Sequence, residues 1–363
     1  MIQQVQLYDD QLDFEDNKAS GPFGDYAKHE APLENQGEPT YDFFGTPVYS
    51  PFGIGAGPLP TPVFIKAALD KGFDIVTLKN VRTDVFPLNP YPQVRPVDIV
   101  GDLDISSDTK VLVADQYSER LAVANSFGIP SVAPSEWQPY IRESYTLPKK
   151  GQALLVTFQG IARGRGRDDF VEDHVKGIEL IKQTGGDHVI EINLACPNEG
   201  EKVLACFDTD ISTRIVTAVR EANPDLKLLI KIAYFANHDQ LKELVKSIGG
   251  MVNGITAINT IPMPVVDKAG NDIFPGRDKA GISGAPIKWA GLEMVRLLKQ
   301  FREEMNFKYK IVGIGGVLSP ADFHEYRDAG ADIVMSVTGA MWNPLLAQQI
   351  KQSLNNPSAP RAR

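Results

Sequence analysis

The chain has 363 residues, a formal net charge of −9, 43% apolar and 23% charged residues, and two cysteines. This is ordinary globular composition with enough apolar residues for a large core, which excludes a disordered chain. Two cysteines are too few for a disulfide framework or an iron–sulfur cluster, and the five histidines show no metal-ligand spacing, so no metal is expected.

Residues 1–45 carry ten acids against Lys18 and Lys28, a net −8 that leaves the body near −1. Such an arm is repelled by anionic lipid and by nucleic acid, and it reads as a solvated surface extension. It lacks the basic region and apolar run of a signal peptide, and no stretch approaches the roughly 20 apolar residues of a membrane span. A cytoplasmic, reduced setting is expected, with neither membrane nor nucleic acid as partner.

From residue 46 short β-rich runs alternate with amphipathic helical runs, the rhythm of parallel α/β architecture. The first strand is expected at 48–55, with Thr61-Pro62 opening a helix in cap-then-proline order. The second, at 74–79, leads into a long irregular excursion to about residue 150. Further strands are expected at 153–159, 188–194, 227–232, 254–261, 310–317 and 333–337. Each precedes a helical pattern: Val171, Val175, Ile178 and Ile181 mark one face, and Ile211, Ile215 and Val219 another. Residues 241–248, 287–301, 319–329 and 343–354 follow the same periodicity. Eight such units predict one (β/α)₈ TIM barrel over 46–354, with an N-terminal extension (1–45), an insertion at about 81–150 and a tail at 355–363. A doubly wound open sheet shares the local pattern.

Active residues of such a barrel sit at the C-terminal ends of its strands. Those positions hold Ala56, Gly57, Lys79, Asn80, Asn193, Cys196, Asn198, Lys231, Asn259 and Thr260, with Gly315-Gly316 and Thr338-Gly339. Buried amides and ammonium groups are costly unless paired, so a polar ligand is expected among them. Glycines after the seventh and eighth strands suit a phosphate, although a glycine-rich turn is often only a turn. Cys196, between two asparagines, suits a general base; a small buried hydrophobe is the alternative. Cys206 is read as structural. Lys231 ends an apolar strand and needs an anion or carbonyl partner. Arg163-Gly-Arg165-Gly-Arg167 is either a solvated loop or an anion or partner contact.

Taken together, these segments resemble the dihydroorotate dehydrogenase family over roughly residues 46–350. NLACPN at 193–198 resembles the N-L/V-S-C/S-P-N signature holding the catalytic base, and its cysteine resembles the soluble class 1 enzymes. Serine occupies that place in the quinone-using class 2 enzymes. NPYP at 89–92 resembles the N-P-x-P turn. NSFGIP at 125–130 resembles the loop that grips the substrate carboxylate, which implies substrate contacts for Asn125, Ser126, Phe127, Gly128 and Ile129. Lys79 matches the lysine facing flavin and substrate, Lys231 the flavin N1/O2 lysine, and Asn259-Thr260 the substrate pair. Gly281–Gly284, Gly315-Gly316 and Thr338-Gly339 match the flavin loops. The implied cofactor contacts are Ala56, Gly57, Lys79, Asn80, Asn193, Lys231, Ile258, Gly284, Gly315, Gly316, Thr338 and Gly339. Asn193 and Asn198 join the substrate set. Ala195, Ser131 and the Thr338-Gly339 order depart from the family pattern.

The resemblance implies FMN-dependent oxidation of dihydroorotate to orotate in pyrimidine biosynthesis, with Cys196 as base and Lys79 beside it. Fumarate, or NAD through a partner subunit, is the implied second substrate, and a homodimer the implied assembly. A uracil-type dihydropyrimidine dehydrogenase shares the N-L-x-C-P and N-T signatures. A tRNA-dihydrouridine synthase fits less well, because pI near 5.2 and the missing basic C-terminal domain disfavour RNA.

Overall fold

Short apolar and β-branched runs form eight parallel strands: β1 Phe52–Ile54, β2 Ile75–Val81, β3 Ala153–Phe158, β4 Val189–Asn193, β5 Lys227–Ile232, β6 Gly254–Ala257, β7 Lys310–Ile314 and β8 Ile333–Ser336. Each pairs with its sequence neighbours, and Met335 opposite Gly53 joins β8 to β1, closing the expected barrel. The computed structural model describes residues 4–28, 35, 37–106, 108–162, 164, 166–195 and 204–355.

The outer helices are α1 Pro62–Asp70, α2 Pro134–Ser144, α3 Arg167–Lys182, α4 Thr209–Ala222, α5 His238–Ile248, α6 Lys288–Glu304, α7 Pro320–Ala329 and α8 Leu346–Asn355. Their starts follow from local chemistry. Asp208, Asn237 and Ser319 accept backbone N–H groups at the first turns of α4, α5 and α7. Thr61 stands at the expected start of α1, but its hydroxyl makes no capping bond.

Inward-facing residues alternate along the strands and divide the barrel interior into layers. Ile75, Leu155, Val189, Leu229, Val312 and Ile333 form an apolar floor with Phe43, Phe44 and Val48. These last three come from the hairpin Tyr41–Phe43 and Thr46–Val48, so the first strand expected at 48–55 is two separate elements. A Cβ on Gly254 would meet Phe44 at 2.8 Å, which explains glycine where the ring enters. Above the floor lie buried Thr77, Thr157, Glu191 and Thr256, and above them the strand ends.

Three other expectations are corrected. The excursion after β2 is not irregular: it supplies strands Val94–Asp98, Val111–Val113 and Val123–Asn125. With Ile261–Met263, Val265–Val266 and Ala280–Ser283 from the excursion after β6, these make a six-stranded sheet. The single strand expected at 254–261 is broken after Ala257, because its second half joins that sheet.

The acidic arm is not a solvated extension. Val5, Leu7, Phe14 and Tyr26 are buried. The Gln6 and Leu7 N–H groups donate to Met341 O, and Tyr26 donates to Ala340 O. Tyr8 donates to Pro58 O at 2.6 Å. Its described acids are exposed or half-buried while Val5, Leu7, Phe14 and Tyr26 are buried, so charge counting saw only one side. Of the arginine-rich run, Arg163 and Arg165 lie outside the described residues. Arg167 opens α3 and bridges to Asp208 and Asp210, at 2.6 and 2.8 Å.

Candidate active site

The strand ends enclose a cavity of about 170 Å³, open to solvent. Among the expected residues, Ala56, Gly57, Lys79, Asn125, Phe127, Lys231, Ile258, Asn259, Thr260, Gly284, Gly315, Gly316, Thr338 and Gly339 line it. They come from six of the eight strand ends and from the six-stranded sheet with its flanking loops.

Lys79 lies in β2, where the pairing register to β3 shifts between Leu78 and Val81. Its Nζ donates to Gly57 O at 3.3 Å and lies 4.8 and 5.2 Å from the ring centres of Phe14 and Phe127. Burial pushes the Lys79 pKa down to about 8, against the field of Glu15 and with that of Lys18. Lys231, 5% exposed, is also lowered by burial, while Glu191 favours its charged form. Glu191 sits in the middle of β4 and accepts from Thr256 Oγ1 at 2.5 Å; burial raises its pKa. One carboxylate therefore lies beneath the second buried cation.

Asn193 and Asn259 hold a single peptide segment between them. Asn193 Oδ1 accepts the Ala195 N–H, and Asn259 Nδ2 donates to Ala195 O, both at 3.0 Å. Ala195 is thereby fixed immediately before Cys196. Cys196 and Asn198 themselves lie outside the described residues. Asn193 is buried and works through this clamp, outside the cavity lining.

Other expected residues stand behind the wall. Ser126 O accepts from Arg277 and Asn89, and the carbonyls of Gly128 and Ile129 turn to Arg82. Asn80 lines a neighbouring cleft with Trp137, and its buried Nδ2 has no hydrogen-bond partner among the described residues. Asn125 lines the cavity while its amide donates to Gly281 O at 3.1 Å, stitching the two excursions together.

The cradle after β6, β7 and β8 is glycine by necessity. Gly284, Gly315 and Gly316 have φ of 91°, 130° and 69°. A Cβ on Gly316 would meet Gly284 O at 2.8 Å, so the two loops touch through backbone. Ser336 Oγ donates to Val317 O at 2.6 Å and Tyr326 donates to Gly315 O at 2.6 Å, fixing the remaining edges. Close-packed glycine backbone at these strand ends, with two buried ammonium groups opposite, fits a phosphate-bearing cofactor with an electron-rich ring.

Sequence reasoning missed Tyr8, Phe14, Glu191 and Arg82. Glu191 had a readable signal, a carboxylate inside an otherwise apolar strand. Phe14 had a fainter one, an aromatic residue among the acids of 9–16. Among the described residues, no helix is long and apolar enough to cross a membrane.

A family model described as dihydroorotate dehydrogenase matches residues 113–357. The chain is 30% identical to the dihydroorotate dehydrogenase of Dictyostelium discoideum, over 94% of this chain and 96% of that protein. It is 25% identical to the dihydroorotate dehydrogenase (quinone) of Clavibacter sepedonicus, over 88% of this chain and 86% of that protein. It is 30% identical to a catalytic subunit of dihydroorotate dehydrogenase B (NAD(+)) from Bacillus pumilus, over 51% of this chain and 58% of that protein. The Eimeria tenella enzyme solved with ferulenol shares the fold, with TM-score 0.69 at 17% identity, over 88% of this chain and 86% of that one.

Proposed function

The chain belongs to the dihydroorotate dehydrogenase family, and we propose that it oxidises dihydroorotate to orotate with bound FMN, using Cys196 as general base. One observation carries this reading: Lys79 and Lys231 line a single cavity floored by the barrel, and Asn259 on its wall holds the residue before Cys196.

Gly284, Gly315, Gly316, Thr338 and Gly339 would hold the phosphate end of FMN, and Lys231 its ring edge. When bound, FMN supplies the acceptor for the hydride that leaves C6 of the substrate. The chain's residues do the rest. Lys79, with Asn125 and Phe127 on the opposite wall, binds the substrate carboxylate. Burial strengthens that contact, because water no longer screens it. Asn259 and Thr260 orient the ring, whose alternating N–H and C=O groups suit side chains that donate and accept.

The Cys196 thiolate removes the C5 proton, which is acidified by the adjacent carbonyl. A thiol near pKa 8.5 serves as base once its surroundings favour the thiolate, which the ammonium groups of Lys79 and Lys231 would do for a base that reaches their cavity. The cysteine also supports a class 1-like enzyme, and fumarate or NAD as final oxidant.

The test is an anaerobic absorbance spectrum of the purified protein. It should be yellow, bleach on adding dihydroorotate, and release FMN on denaturation. A protein that retains no FMN after reconstitution, or whose flavin stays oxidised with dihydroorotate, overturns the proposal. Reoxidation of the bleached enzyme by fumarate, NAD or a soluble quinone then identifies the acceptor.

A further inference from the structure

Arg82 stands three residues past Lys79 at the end of β2, and its side chain is completely buried. It is fastened at every end. Its N–H donates to Ser131 Oγ at 3.1 Å, and its carbonyl accepts from Trp137 Nε1 at 2.9 Å. The guanidinium lies 3.9 Å from the centre of the Phe86 ring. Its nitrogens reach three carbonyls: Nε to Ile129 O at 2.9 Å, Nη1 to Gly160 O at 2.8 Å and Nη2 to Gly128 O at 3.4 Å. Few side chains can serve three carbonyls from one rigid fork.

Two of those carbonyls belong to an unusual turn. Gly128 and Ile129 both have left-handed backbone, with φ of 80° and 52°. Glycine adopts this freely, but a β-branched residue does not. Ile129 therefore stays there only because something holds it, and its carbonyl is held by Arg82. The same loop places Phe127 and Asn125 on the cavity wall, and Phe127 stacks over Lys79.

We propose that Arg82 is a positioning residue for the substrate: it pins the turn 128–129 and so sets Phe127 and Asn125 against Lys79. This rests on the function proposed above. Arg82 touches neither the cavity nor the reacting atoms. Its effect falls on substrate affinity, with the cofactor cradle across the barrel unaffected.

The test uses the full-length holoenzyme with Arg82→Met, Arg82→Lys, Ile129→Gly and the double variant Arg82→Met/Ile129→Gly. Arg82→Met should weaken orotate binding and raise KM for dihydroorotate about 10-fold or more, the size of lost charge-assisted hydrogen bonds. Its kcat and FMN content should stay near wild type. Arg82→Lys, with one point donor, should fall between. The double variant should recover most of the loss, because glycine holds the left-handed turn without the clamp. A purely architectural role predicts the opposite, since adding glycine would weaken the fold further. Amide hydrogen exchange over 125–131, measured without ligand, should quicken in Arg82→Met and return toward wild type in the double variant. Wild-type exchange in Arg82→Met and Arg82→Lys, or a loss that Ile129→Gly does not repair, overturns the proposal. Failure of wild-type protein to bind orotate overturns the function instead, and the exchange result still judges the clamp.

Discussion

The Lys79 ammonium lies 4.8 Å from the centre of the Phe14 ring, so the N-terminal arm closes directly on a cation at the end of β2. A buried cation–ring contact is worth about 1–2 kcal/mol, and the ring also keeps water from Lys79. Phe14→Ala should therefore speed orotate dissociation by about 5–30-fold, measured by stopped-flow absorbance. Dissociation at the wild-type rate would show that the arm is only a cover.

Burial holds the Lys79 pKa near 8, well below 10.5. Only the protonated form attracts the orotate carboxylate. Affinity should be level below pH 8 and then fall about tenfold per pH unit above it, because one proton is taken up on binding. The sign for folding is opposite. The unfolded state holds more protons on Lys79 between pH 8 and 10.5, so this residue's contribution to stability rises across that window. Titration of orotate binding from pH 6 to 10 checks the first statement. Lys79→Met should bind weakly with no bend near 8, and uracil, lacking the carboxylate, should elicit little spectral response from wild type. If dihydrouracil reduces the enzyme as fast as dihydroorotate, the carboxylate argument fails.

The two cysteines should separate cleanly. Burial pushes the Cys206 thiol up to about 12, so iodoacetamide at neutral pH should leave it intact. Cys196→Ala should slow dihydroorotate-driven flavin reduction by about 10²-fold or more while orotate still binds. Cys196→Ser should retain part of the activity with its optimum moved to higher pH. Rapid reduction in Cys196→Ala would mean that another group is the base.

Away from the site, Lys351 donates to buried Asp74 at 2.7 Å, and Ser50 donates to the other Asp74 oxygen at 2.6 Å. Burial raises the Asp74 pKa, and the lysine opposes it. Lys351→Met should cost about 3–5 kcal/mol in denaturant melts, because it strands a buried carboxylate. Adding Asp74→Asn should return much of that loss, with orotate affinity unchanged throughout. A single-variant cost below about 1 kcal/mol would mean that water already solvates the pair.

The strand ends were legible because Lys79 and Lys231 interrupt apolar runs at the period a barrel requires. Asn193 and Asn259 were legible as site residues, but not as the two jaws around Ala195, which depend on β4 and β6 flanking β5. Arg82 was invisible for a similar reason: its carbonyl partners lie 46 to 78 residues away. The run 254–261 looked like one strand because Ile258 and Ile261 continue the apolar pattern. Pairing of 261–263 with 280–283 takes its second half elsewhere.

The six-stranded sheet interleaves two distant stretches of chain: Ala280–Ser283 pairs with Val123–Asn125, and Val265–Val266 with Val111–Val113. Neither stretch can complete it alone, and Asn125 meets Gly281 across 156 residues. Closing so long a loop carries an entropic cost that the barrel lowers by bringing the ends of β2 and β6 together first. The roof of the cavity is therefore expected to close after the barrel and to open before it, with faster amide exchange at 123–125 and 280–283 than in the barrel strands as the check. Ligands resting on Asn125 on one side and on Gly284 on the other tie those two stretches together, each adding about 2.7 kcal/mol to the closed form at a hundred times its dissociation constant. On the proposed function, substrate and cofactor together act as a latch, and protease cleavage in the roof should slow when both are bound.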